Sequence, residues 1–121
     1  MARTVITKIK LNEPNTASEQ LTTDSLTAAL NASDGGEVVW NGSDEKTLVL
    51  VQNTGSAAAD FIVKAGNGIQ GVNDLKVNVT NGKTVYMQLD SGRFKNVSGA
   101  DKGKVVFGGG ASFKVAVFEL A

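Results

Sequence analysis

The stretch Thr47 to Ala65, TLVLVQNTGSAAADFIVKA, constrains this chain more than any other. Two apolar runs, Leu48 to Val51 and Phe61 to Val63, flank a small-residue connection centred on Asn53, Thr54 and Gly55. This predicts two strands joined by a turn. The same grammar recurs downstream. Leu75 to Val79 and Val85 to Leu89 alternate apolar and polar residues around Asn81-Gly82, and Lys104 to Phe107 and Ser112 to Leu120 flank Gly108-Gly109-Gly110. In the last strand both faces are apolar, with Phe113, Val115 and Val117 on one and Ala116, Phe118 and Leu120 on the other, which predicts a central or doubly covered position.

Register sharpens one of these pairs. If Leu75–Val79 and Val85–Leu89 are antiparallel neighbours, a two-residue loop would put their apolar sets on opposite faces. An odd, bulged loop with Val79 opposite Val85 is therefore expected. Further strands are expected at Thr4–Leu11 and Glu37–Trp40, with turns at Asp34-Gly35-Gly36, Asn41-Gly42 and Asp90-Ser91-Gly92, and a short extended piece at Phe94–Val97. For Asp24 to Leu30 a short helix and irregular structure are both open; Thr16 with Glu19 would form a capping box ahead of it. Short strands at this spacing, with glycine-rich turns and one proline, predict an all-β chain: a single-domain antiparallel β-sandwich, jelly-roll-like. The expected core is Val49, Val51, Phe61, Val63, Val77, Val79, Val85, Met87, Val115 and Val117.

A chain of 121 residues fits one domain and buries about two-thirds of its unfolded surface. It contains no cysteine and no histidine, so disulfides and thiolate metal sites are excluded, and the commonest general base is missing. The 12 basic and 12 acidic residues balance, so no overall field favours nucleic acid or anionic lipid. Residues 11 to 45 carry acids only, against Arg3, Lys8 and Lys10 before them and a basic excess after. No run approaches the roughly 18 apolar residues of a membrane span, and the N-terminus lacks the apolar stretch of a signal peptide, so a protein made and kept inside a cell is expected.

Candidate chemistry is sparse. Gly66 to Gly71, GNGIQG, matches the dinucleotide-binding glycine pattern, yet an alternating strand follows it where that site needs a helix, so a glycine loop between strands is expected. Asp44-Glu45 and Asn73-Asp74 lack calcium-loop spacing and read as turn chemistry. No cofactor, metal, nucleic acid, membrane or small-molecule substrate is expected. Of the seven aromatic residues, Trp40, Tyr86 and Phe94 are the freest to act as exposed anchors, as in a carbohydrate-binding sandwich.

Residues 32 to 120 resemble small phage virion structural proteins, the head decoration and minor capsid proteins. The resemblance rests on Asp34-Gly35, Trp40-Asn41-Gly42, Thr47 to Val51 with Asn53-Thr54-Gly55, and Phe61-Ile62-Val63. It continues through Leu75 to Val79, Gly92-Arg93-Phe94 and Lys114 to Leu120, and Met1 to Val5 is similar to the start of such proteins. It implies a non-enzymatic protein of the outer capsid surface, made in the bacterial cytoplasm, with the major capsid protein as partner and homo-oligomers on the capsid. A tail or fibre component and a carbohydrate-binding module are the alternatives. Within this reading residues 1–15 form an N-terminal strand or arm and residues 16–121 the sandwich, divided at Asn12-Glu13-Pro14-Asn15. In the arm Val5, Ile9 and Leu11 share one face and Lys8 and Lys10 the other. It either adds to the edge of a neighbouring subunit or capsid protein or forms an edge of its own sheet. The candidate interface residues are Arg3, Val5, Lys8, Ile9, Lys10 and Leu11, with Trp40.

Overall fold

The computed structural model describes residues 3–17 and 28–121. The strands are β1 (Thr4–Ile6), β2 (Ile9–Lys10), β3 (Ala28–Ala29), β4 (Gly36–Val39), β5 (Thr47–Asn53), β6 (Ala59–Val63), β7 (Leu75–Val79), β8 (Thr84–Met87), β9 (Lys104–Gly108) and β10 (Phe113–Glu119). A 3-10 turn at Asp44–Lys46 and a single helical turn, α1 (Ser91–Phe94), are the helical pieces among the described residues. The strands form two sheets, ordered β1-β4-β9-β6-β7 and β2-β10-β5-β8, with β3 also paired to β10. The all-β sandwich is thus the observed architecture. It is not purely antiparallel: β1 runs parallel to β4 and β2 parallel to β10, because the N-terminal stretch enters both sheets from the same direction. The helical alternative at residues 24–27, and the capping box through Glu19, lie outside the described residues. Ala28 and Ala29, at the end of that stretch, are strand rather than helix.

Thr47–Ala65 contains the two expected strands, but they do not pair. β5 lies between β10 and β8, whereas β6 lies between β9 and β7 in the other sheet. The connection is an arch that crosses the core. Alternation is identical for a hairpin and an arch, since Val49 and Val51 on one strand and Phe61 and Val63 on the other face the core in both. Asn53 decides between them. Its buried amide donates to Ala57 O and Val79 O, and its Oδ1 accepts from Gly55 N–H, which folds the chain across the sandwich instead of back on itself.

The second expected hairpin is also an arch. β7 pairs with β6, Val79 opposite Ala59, and β8 pairs with β5, Val85 opposite Val51. The register conflict at Asn81-Gly82 is therefore resolved without a bulge. Each strand joins a different sheet, and both apolar sets face the space between. Lys83 N–H bonds to Thr80 O, Gly82 N–H to Asn53 O, and Gly82 has φ +75°. β9 and β10 likewise lie in opposite sheets.

The core joins both sheets. Phe61 meets Phe107 at 5.4 Å and Phe113 edge-on at 5.5 Å between ring centroids. Seven of the ten expected core residues are buried, and Val77, Val85 and Met87 pack against the core half-buried at its rim. β10 is central as expected, with β5 along one side and β2 and β3 on the other. The piece expected to extend from Phe94 instead begins inside α1, where Asp90 accepts a capping bond from Gly92 N–H and Phe94 is buried.

Candidate functional site

The candidate interface is assembled where the N-terminal stretch changes sheet. β1 edges the first sheet and β2 joins the second, so residues 4–10 are edge strands of this chain's own sheets, one of the two placements left open by the sequence. The crossover at Thr7-Lys8 resets the side-chain alternation. Ile6 is buried, while Val5, expected on the inward face, is 69% exposed, and Leu11 is also exposed. Ile9 lies opposite Phe118, half-buried.

The basic side chains of this stretch fasten it to the body. Lys8 Nζ donates to Asn41 O at 2.8 Å, to the Asn41 side chain, and to Glu119 Oε1 at 3.1 Å, while Lys10 reaches Glu119 Oε2 at 3.6 Å. Arg3 bonds to Asp101 at 2.7 Å and lies 3.7 Å from Glu37, which also holds Lys104 at 2.6 Å. The Lys8 hydrogen bond holds the Glu119 carboxyl below the usual carboxylate range, and Arg3 does the same to Asp101. The backbone adds Thr4 N–H to Gly35 O and Leu11 N–H to Glu119 O.

Between this crossover and the end of β4 lies a groove of about 280 Å³, lined chiefly by Val5, Lys8, Lys10, Val38, Val39 and Asn41. Its walls are mostly apolar, and Val39 is 52% exposed. Val39 and Asn41 were missed by the sequence reading, although two adjacent valines in a strand must point to opposite faces. Three expected residues, Val5, Lys8 and Lys10, thus line one groove; Arg3 is held away from it by Asp101, and Leu11 and Ile9 lie along β2 and its continuation.

Trp40 is not an exposed anchor. It is 2% exposed, and its indole N–H donates to Asp44 Oδ1 at 3.0 Å. Phe94 is buried too, which leaves Tyr86, 76% exposed, as the free aromatic of the three. The oxygens considered for a cation serve the fold. Asp44 Oδ2 accepts from the Ser91 amide and hydroxyl at 3.0 Å, and Asp74 caps Ala65 N–H at 2.7 Å. Burial pushes Asp44 up, but the Ser91 and Trp40 hydrogen bonds with Lys95 outweigh it and hold the carboxyl below its ordinary range.

Among the described residues no group of three or more His, Cys, Asp or Glu side chains is placed to hold a metal ion, and no helix is long and apolar enough to cross a membrane. The glycine loop leads into β7, as expected. It packs against α1 and the segment after it, Gly66 N–H donating to Arg93 O and Val97 N–H donating to Asn67 Oδ1, and a Cβ on Gly71 would lie 1.9 Å from Gly66 O. Its glycines serve close packing. No protein-family model, curated protein or solved structure matches this chain.

Proposed function

We propose that this chain is a non-enzymatic phage virion structural protein that binds the outer capsid surface and reinforces it, a head decoration protein. In this reading it is made in the bacterial cytoplasm, carried on the virion, and partnered by the major capsid protein, with no cofactor. The observation that carries the reading beyond sequence resemblance is the N-terminal groove. Val5 and Val39 present apolar area beside a fastened double edge, which suits docking of an extended segment from a capsid subunit. A tail or fibre role would use the same surface on a different partner. The carbohydrate-binding alternative retains Tyr86 alone of its three aromatic candidates.

The test is cosedimentation of the purified protein with phage capsids assembled from a major capsid protein. Because residues 4–10 pair within both sheets and Ile6 is in the core, point variants are better probes than deletion. Val5→Asp and Val39→Asp change exposed positions, so the expected result is a folded protein with weakened capsid binding. Failure of the unaltered protein to sediment with capsids, or full binding by both variants, counts against the reading. Specific retention on a glycan array would favour the carbohydrate alternative.

A further inference from the structure

Among the described residues the second sheet ends at β8, whose strand neighbour is β5. One hydrogen bond fixes the direction of its backbone groups. Asn53 N–H donates to Lys83 O at 3.0 Å, and these two residues continue the β5–β8 register one step beyond Gln52 opposite Thr84. Bonded and non-bonded pairs alternate along an antiparallel ladder, so Val51 with Val85 and Val49 with Met87 are the bonded pairs. The N–H and C=O groups of Thr84, Tyr86 and Gln88 then point away from β5, along the open edge. Among the described residues no other backbone group bonds to them.

This edge also lacks the usual protection. Thr84 to Leu89 carries no charge, proline or glycine, whereas β7, the far edge of the other sheet, carries Lys76. Val85 and Met87 sit half-buried at the rim of the core, and Tyr86 stands exposed on the outer face in a row with Leu50 and Ala116.

We propose that β8 pairs antiparallel with β8 of a second copy of this chain, about a two-fold axis at Tyr86. Side chains alternate between faces, so a symmetric pairing that keeps inward residues opposite inward ones must be centred on a residue. Centring on Val85 sets Lys83 against Met87. Centring on Met87 requires Asp90, which is committed to capping α1. Centring on Tyr86 uses the length from Thr84 to Gln88. The two Tyr86 residues exchange backbone hydrogen bonds, Thr84 meets Gln88 of the second copy, and Val85 meets its Met87 and closes the rim of the core. This surface is separate from the N-terminal groove and does not depend on the capsid reading.

Sedimentation across a concentration series tests the pairing, with Tyr86→Lys as the variant, since it sets like charges opposite each other at the axis. The expected result is a concentration-dependent dimer whose dissociation constant rises at least about tenfold in the variant. Native cysteines are absent, so Tyr86→Cys should be trapped as a dimer by a short bis-maleimide, which adds one cysteine thiol at each end, and Lys76→Cys should not. Hydrogen exchange of the unaltered protein gives a readout that needs no variant: the Tyr86 amide should be protected only at dimer-forming concentrations. A monomer at every concentration, a dimer indifferent to Tyr86→Lys, or a Tyr86 amide whose exchange ignores concentration overturns the proposal.

Discussion

The Asn53 side-chain amide donates to the carbonyl of Val79 at 2.9 Å, across 26 residues of sequence, and this bond joins two of the connections that pass between the sheets, β5 to β6 and β7 to β8. The same amide holds Ala57 O at 2.9 Å, and the Asn53 backbone bonds to Lys83 and Gly82. Asn53→Ala would leave carbonyls of both arches without their donor in the interior. The expected cost is about 2–4 kcal/mol, read as a lower urea midpoint with an unchanged slope. Asn53→Asp keeps an acceptor for Gly55 but removes both donors and buries a charge, and it should cost more than alanine at neutral pH.

Phe61 touches Phe107 and Phe113 and is fully buried. Phe61→Ala should lose about 3–5 kcal/mol in denaturant unfolding, from lost burial and the cavity left behind. Ile69 is a large apolar, fully exposed residue of the glycine loop, and Ile69→Ala should stay within about 0.5 kcal/mol of the unaltered protein.

Strand positions were legible because β-branched alternation is a local signal, and Val49, Val51, Phe61 and Val63 face the core as their spacing implies. Strand partners were not. Alternation does not record whether the next strand lies beside its predecessor or across the core, and the residue that decides, Asn53, is an ordinary turn former by composition. The register conflict around Asn81-Gly82 was a real sequence signal for that second crossing, with two physical solutions, a bulge or an arch. At the N-terminus Lys8 and Lys10 were recognised as chemically distinctive. Their partner Glu119 is 111 residues from Lys8, beyond any local pattern, and the crossover at Thr7-Lys8 reversed which apolar residue turns inward. Trp40 looked free because it closes an apolar run, and it is buried because Asp44, four residues on, supplies the acceptor its indole needs.

That acceptor makes Asp44 more than a solvated turn residue, so a near-neutral substitution is not expected. Asp44→Ala leaves the buried Trp40 indole N–H and the Ser91 amide without their partner, at a cost of about 1–3 kcal/mol. Trp40 is the one tryptophan, so its fluorescence emission reports the change directly. The Asp44 carboxyl is held below its ordinary range, hence its contribution is present above the unfolded-state value near 3.9 and fades as pH falls through the folded-state value. The stability gap between the unaltered protein and Asp44→Asn should therefore narrow on acidification below about pH 4. A gap that widens there would contradict the assignment.

The tie between Glu119 and the N-terminal stretch should loosen by the same logic. Lys8 donates to Glu119, Lys10 lies beside it, and the folded carboxyl is held below its usual value, so the bond is made at neutral pH and lost as pH drops through that lowered value. Leu11 N–H bonds to the Glu119 carbonyl and reports whether the end of β2 stays docked on β10. Its exchange protection, corrected for the intrinsic pH dependence, should fall below about pH 4 while core amides such as Val115 remain protected. Glu119→Gln removes the charge that Lys8 and Lys10 share. It should give weaker Leu11 protection at neutral pH and abolish the acid step. Loss of Leu11 and Val115 protection together would mean that the N-terminal edge and the core open as one unit, and that Glu119 is not a local latch.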